Sequence, residues 1–228
     1  MTDPYSVVSI LEPLIQLFLL IFFVYIIYLI VTKAFQEMGF SSIEAVLIVF
    51  ASYLFHFNIT VEGFNISYIY LFSYNNWDIF INMGGAVIPL LISLYLAVKK
   101  KLSASYIMLG VVVVTLVTFF VTHPDPLRGI VSVFPYWLLP AFTASILSVA
   151  VYWRDCQKAA PLAYLSGTVG VLIGADLFHL PALLSYRPEH VVDAAIGGAN
   201  VFDMIFITGI IAVLIDGLLL VRRKRSVT

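Results

Sequence analysis

The sequence has too few charged residues for a soluble protein. Charged side chains make up 11% of the 228 residues and hydrophobic ones 62%, whereas about 25% charge is usual for a soluble domain. There is not enough polar surface to cover a globule in water, so lipid is the expected solvent, with backbone polar groups satisfied inside helices. We therefore expect an all-α, polytopic membrane protein that forms one integral domain over residues 1–228.

Other absences exclude several classes of protein. The single cysteine, Cys156, rules out an intrachain disulfide and any zinc site with two or more thiolates. No predicted span interior contains the lysine that a retinal protein needs, and HExxH, GxSxG and P-loop motifs are missing. The net charge of −1 gives no indication of nucleic acid, and the N-terminus lacks the basic region and cleavage site of a removable signal peptide. We expect no cofactor and no nucleic-acid partner.

Seven apolar stretches approach the length of about 20 residues that a membrane-spanning helix needs. The second is the shortest and carries Glu44 and His56. The predicted spans are residues 13–32, 42–57, 79–98, 104–121, 130–153, 160–180 and 200–221. An odd number of spans places the two ends of the chain on opposite sides of the bilayer.

The distribution of lysine and arginine predicts the orientation. Ten of the twelve fall on one side of the seven-span arrangement, and only Arg128 and Arg187 fall on the other. Cytoplasmic loops carry the excess of these residues, so we predict an outer N-terminus and a cytoplasmic C-terminus. The outer segment 58–78 is rich in Tyr, Phe and Asn and is predicted to lie in the headgroup layer, where it would cap an external cavity.

Polar residues inside spans give the strongest functional indication, because an aspartate there costs about 2.5–3.5 kcal/mol on insertion scales. Asp176 and His179 are three residues apart in the outer third of span six, which places both on one helix face. An intramembrane carboxyl group is a functional hypothesis by default. Alternatively, His179 only forms a hydrogen bond with Asp176 or with interfacial water.

Two further spans bring polar groups to the same outer half. Span seven begins with Asn200 and Asp203, within IGGANVFDMIFITG, and span three begins with Asp78 and Asn82. Alternatively, Asp78 caps the N-terminus of its helix, and Asp203 stabilises the N-terminus of its helix electrostatically. We predict that the three spans form an external pocket for a small solute or ion. The segments NMGGAVIPL and IGGANVFDM also share GGA and a common direction, as parallel repeats in transporters do.

Three blocks, INMGGAVIPLLISLYL, APLAYLSGTVGVLIGADLFHL and AIGGANVFDMIFITGIIAVLI, resemble a membrane-protein family known as domain of unknown function 1614. The resemblance covers residues 78–215 and implies the cytoplasmic membrane of a prokaryote, without an established activity. Asp176 and Asp203 are also similar to the aspartate pair of presenilin-like and signal-peptide-peptidase-like intramembrane proteases, in which such a pair activates water. Gly197 and Gly198 are displaced from Asp203 relative to that family's motif, and no tyrosine precedes Asp176.

Three functions are consistent with these patterns. The first is a small transporter or permeation protein in which Asp176 and Asp203, with His179 as a further candidate, bind a proton, cation or solute. The second is a hydrolase that uses Asp176 and Asp203 as an acid–base pair. The third is a scaffold or assembly factor whose aspartates seal helix contacts. Asp176, His179 and Asp203 also make a divalent metal an open possibility.

Overall fold

The structure, a computed structural model, is mostly helical. It describes residues 4–55, 57–153, 155–198, 205, 207–215 and 217. The helices are α1 (Pro4–Glu37), α2 (Ser42–Leu54), α3 (Ile88–Lys99), α4 (Ala104–Val121), α5 (Leu139–Val151), α6 (Cys156–Val171) and α7 (Phe178–Ser185). The described residues from 205 to 217 are helical as well and form what we name the C-terminal helix.

Two wider turns are continuous with these helices. The first π-helical turn, π1 (Met83–Val87), leads into α3, and the second, π2 (Leu172–Leu177), joins α6 to α7. π-turns are rare and occur mostly as single turns inserted in α-helices, frequently at functional sites. The α6–π2–α7 unit is therefore a long helix with a local change of pitch at its centre.

Three described helices are long and apolar enough to cross a membrane: Leu11–Glu37, Ala104–Val121 and Gln157–Ser185. Shorter apolar helices cover Ser42–Leu54, Met83–Lys99 and Tyr136–Val151. Thirteen residues of α2 extend only about 20 Å at 1.5 Å per residue, less than the ~30 Å hydrocarbon core. The class of helical membrane protein is thus supported, while seven spans and their orientation remain predictions.

The all-α expectation is wrong, because segments between the helices form three small sheets. The strands are β1 (Thr60–Val61), β2 (Phe64–Asn65), β3 (Tyr68–Tyr74), β4 (Trp77–Asn82), β5 (Thr122–Asp125), β6 (Gly129–Ser132) and β7 (Val192–Ile196). β1 pairs with β2 and β5 with β6, both antiparallel. In the largest sheet, central β4 pairs antiparallel with β3 and parallel with β7.

Local sequence explains the largest sheet. YIYLFSY and WDIFIN are rich in the aromatic and β-branched residues that favour strands. Asn75 and Asn76, both with positive φ, form the two-residue turn between the paired residues Tyr74 and Trp77, and asparagine is favoured at such turns. Residues 77–82, predicted to lie at or near the start of a helix, are therefore extended.

The strands gather at one end of the helices. β4 runs into π1 and α3, β5 follows α4 directly, and β7 follows α7. Lys99 and Lys158 lie at the other helix ends, near the α3–α4 and α5–α6 connections. We name these two ends the sheet end and the basic end.

Helix α6 is central and contacts α3, α4 and α5. Glycines of α6 and π2 permit close approach: a Cβ added at Gly174, in π2, would lie 2.5 Å from the carbonyl oxygen of Thr115, and one at Gly167, in α6, would lie 3.3 Å from the Cγ2 of Thr208. Small residues of this kind let membrane helices pack backbone to backbone. The crossing fixes α4 and the C-terminal helix against the part of α6 that leads into π2.

Candidate functional site around Asp176

Asp176 lies on π2, about two-thirds of the way along the α6–π2–α7 unit, and is half-buried. Its Oδ2 accepts a hydrogen bond from the backbone N–H of Gly197 at 2.6 Å. Hydrogen bonds to an ionised carboxylate are shorter and stronger than neutral ones. The contact joins the π2 turn of this helical unit to the end of strand β7.

Gly197 donates this bond from a backbone conformation that favours glycine. Its φ is +92°, and that of Gly198 is +71°, in the region that side-chain-bearing residues rarely adopt. The pair turns the chain directly after β7, and the Gly198 N–H bonds to the carbonyl of Ala195 at 3.1 Å. The glycine turn, residues 197–198, thereby directs an N–H group toward Asp176.

The two GGA segments that the sequence shares lie against each other. β4 and β7 run parallel in register, from Trp77 opposite Val192 to Ile81 opposite Ile196, and each leads into its GGA segment. A Cβ added at Gly85 would overlap the carbonyl of Gly197, and one added at Gly197 would lie 2.7 Å from the backbone nitrogen of Ala86. Both glycines are needed for this approach of π1 to the glycine turn.

Asn82 connects the two segments by hydrogen bonds. It is 1% exposed at the end of β4. Its Oδ1 accepts from the Gly85 N–H at 2.9 Å, and its Nδ2 donates to the Gly198 carbonyl at 2.9 Å. The side chain that was predicted to line a binding pocket thus spans π1 and the glycine turn.

Asp78 lies within strand β4, so its interpretation as a helix cap is wrong. It accepts a hydrogen bond from the Ser73 hydroxyl, which lies 2.8 Å from the Tyr70 hydroxyl. Its neighbours Trp77 and Ile79 are buried, and alternate residues of a strand face opposite sides of the sheet. The Asp78 side chain therefore lies on the face opposite the core.

His179 is placed against α4. Its Nε2 lies 3.1 Å from the Phe119 carbonyl oxygen, and its ring stacks on that of Phe119 with centroids 4.5 Å apart. The side chain is 7% exposed. The predicted common face with Asp176 assumed α-helical spacing, and π2 alters that spacing just before His179. Asn200 and Asp203 lie outside the described residues.

Asp176 lines three adjoining cavities. The outer cavity, about 270 Å³, is bordered by Trp77, Arg128 and Leu183, among others. The inner cavity, about 290 Å³, reaches Trp137 and Val171. Between them, a space of about 20 Å³ lies beside Leu180 and Ile196, which is room for about one water molecule. Asp176 is therefore the carboxylate that the outer and inner cavities share.

Arg128 brings a positive charge to the outer cavity. Asp125 stabilises the β5–β6 turn that carries Arg128. Asp125 Oδ1 accepts from the Leu127 N–H at 2.8 Å and from the Arg128 N–H at 2.9 Å. The hydrogen bond from Leu127 is the main reason why the pKa of this carboxyl group lies below its ordinary value of 3.8, and the second bond and the charge of Arg128 lower it further. No sequence pattern indicates that Arg128 borders the candidate site.

We predict that the β5–β6 turn loosens in acid. A carboxyl group whose pKa is lowered on folding stabilises the fold above its unfolded pKa, and this stabilisation is lost as pH falls through the folded pKa. Backbone hydrogen exchange at Leu127 and Arg128, corrected for intrinsic rates, should therefore lose protection below about pH 4. Asp125→Asn keeps an acceptor oxygen without titrating, so its protection should stay flat. Equal pH dependence in both proteins would contradict the assignment.

Within the part of the chain that the structure describes, no group of three or more His, Cys, Asp or Glu side chains could hold a metal ion. A metal site including Asp203 therefore remains only a sequence-based possibility. The described arrangement is the Asp176 carboxylate, with a backbone N–H donor from Gly197, beside three cavities, the outer of which Asp193 also lines. A carboxylate in such a place can bind a cation or exchange a proton.

The fold and the site define a helical membrane protein with small sheets at one end and a carboxylate beneath them. The chain belongs to the family described as protein of unknown function (DUF1614), whose model matches residues 40–215. Comparisons with curated proteins and with solved structures find no match. The family membership confirms the first resemblance, and the similarity to intramembrane proteases stays a prediction.

Proposed function

We propose that this protein is a small permeation protein of a prokaryotic cytoplasmic membrane and that Asp176 binds the cation or proton that passes. The observation that carries this proposal is the position of Asp176 between the outer and inner cavities. A half-buried carboxylate at such a junction attracts cations and can exchange protons. The space of about 20 Å³ beside it suits a single water molecule or a small ion of similar size.

The hydrogen bond from Gly197 supports the same role. A backbone N–H that donates to a carboxylate oxygen restricts the rotation of the carboxyl group. An ionised carboxylate has about four lone-pair sites, so it can accept hydrogen bonds from the protein and also contact a cation. The contact at 2.6 Å therefore fixes the carboxyl group beside the cavities.

The remaining predicted residues take different places in this proposal. Asn200 and Asp203 belong to the segment that follows the glycine turn along the chain, so they are proposed as further ligands beside Asp176. His179 contacts Phe119 and is proposed as part of the wall. Arg128, at the outer cavity, would disfavour cations there electrostatically and thereby tune entry.

Flux through purified protein in liposomes tests the proposal. Proton entry is followed with lumenal pyranine and sodium entry with sodium-22, each driven by a potassium diffusion potential set with valinomycin. Asp176→Asn should lower the flux of the conducted ion by about tenfold or more, equivalent to about 1.4 kcal/mol. Removal of the charge leaves the side chain nearly unchanged in shape, so a loss of flux reports on the charge.

Glu62→Gln is the matched control. Glu62 is an exposed carboxylate between β1 and β2, outside the three cavities, so this variant should conduct like wild type. Two results would overturn the proposal. In the first, Asp176→Asn conducts as fast as the wild-type protein. In the second, the wild-type protein conducts both ions no faster than protein-free liposomes do. The second result would favour the scaffold hypothesis.

A further inference from the structure

We propose that Asn82 is a positioning residue for Asp176, acting through the glycine turn. The expected effect on flux rests on the proposed function, whereas the geometry rests on hydrogen bonds in the structure. Asn82 Nδ2 holds the Gly198 carbonyl, and the adjoining Gly197 N–H holds Asp176 Oδ2. Two bonds in sequence therefore link strand β4 to the carboxylate on π2.

The other end of the Asn82 side chain is held as well. Its Oδ1 accepts from the Gly85 N–H within π1, so both ends of the amide are bonded. An amide can donate and accept at once, whereas a carboxylate only accepts. Asparagine at this position therefore fixes the distance between π1 and the glycine turn.

The parallel pairing of β4 and β7 makes this link direct. The two strands are in register up to Ile81 opposite Ile196, which brings Asn82 beside the start of the glycine turn. Gly85 and Gly197 then approach so closely that neither has room for a Cβ. Because Asn82 is buried, water cannot readily replace its bond to Gly198.

The Asn82→Asp variant distinguishes a role in positioning Asp176 from a role in capping π1 alone. The variant keeps an acceptor for the Gly85 N–H but removes the donor to the Gly198 carbonyl. Thermal stability should then fall less than in Asn82→Leu, which loses both bonds and also the side-chain hydrogen bond with Tyr68. Flux through Asn82→Asp should fall about fivefold, the factor that corresponds to one lost hydrogen bond of about 1 kcal/mol.

The amide resonance of Gly197 provides a readout that does not depend on flux. Short hydrogen bonds to a carboxylate shift an amide proton downfield, so we expect the Gly197 proton to move upfield in Asn82→Asp and in Asp176→Asn. Asn65→Asp is the matched control: it makes the same chemical change at a residue whose side chain bonds to Ser67, Tyr68 and Asn58. Its Gly197 resonance and its flux should equal those of wild type.

The outcomes separate the two proposals. If Asn82→Asp leaves the Gly197 resonance unchanged, the positioning role is overturned, whatever the flux. If that resonance moves while wild-type protein conducts neither ion, the positioning geometry holds and the proposed function fails. If Asn82→Asp conducts as fast as wild type while Asp176→Asn loses most of its flux, the site works without this link. That result would overturn the claim that Asn82 affects flux.

Discussion

Replacing Gly197 with alanine is expected to lower the melting temperature by roughly 6–12 °C, from a loss of about 3 kcal/mol at 2–4 °C per kcal/mol. Two causes add. The backbone has φ +92°, which costs a residue with a Cβ about 1–2 kcal/mol. The new methyl group would also lie 2.5 Å from the Cβ of Ala86 and 2.7 Å from its backbone nitrogen, so π1 and the glycine turn would have to separate.

Gly129→Ala separates these two causes. Gly129 has a similar φ of +81°, but a Cβ added there would meet nothing within 4 Å. Its replacement should therefore show the backbone cost alone, about 1–2 kcal/mol. Melting curves in the same detergent compare the two variants. Equal losses would contradict the close contact between the two GGA segments.

Replacing Gly174 with valine is expected to destabilise the crossing of α4 with π2, with a loss of about 1–3 kcal/mol or more from overpacking. The first added atom alone would lie 2.5 Å from the Thr115 carbonyl oxygen and 2.8 Å from the Cβ of Thr118. Backbone atoms cannot rotate away, so α4 must move as a whole. Because Gly174 and Asp176 both belong to π2, the inner cavity should change with it.

Gly217→Ala is the control for a helical glycine in open space. A Cβ there would meet nothing within 4 Å, and alanine is favoured over glycine in a helix by about 1 kcal/mol. Its melting temperature should equal or exceed that of wild type. A loss in Gly217→Ala as large as that in Gly174→Val would mean that the crossing is not the cause.

The helices could be predicted where composition alone decides them. Residues 104–121 form a helix with the predicted bounds, because the uniform apolar run follows lysines and stops at Thr122. The strands could not be predicted in the same way, since the outer aromatic segment also fits the headgroup layer. The positive φ of Asn75 and Asn76 marks a hairpin that Asn-Asn between two aromatic runs could have indicated.

The candidate site was predictable in its central residue but not in its partners. Asp176 is conspicuous as a carboxyl group within an apolar helix. Its partner Gly197 contributes a backbone N–H, which no side-chain pattern reveals, although the repeated GGA marks the place. His179 was expected beside Asp176 because α-helical spacing was assumed, and the π2 turn changes that spacing.

Access of water-soluble cations to Asp176 tests the central claim most directly. Cysteine is introduced by Asp176→Cys in a Cys156→Ala background, and the protein in nanodiscs is treated with a small cationic methanethiosulfonate. Ala144→Cys, at a fully buried position, and Leu127→Cys, at a position that is 88% exposed, set the lower and upper limits of the rate. The account predicts that the thiol at position 176 reacts at a rate near that at position 127. A rate as slow as that at position 144 would contradict it.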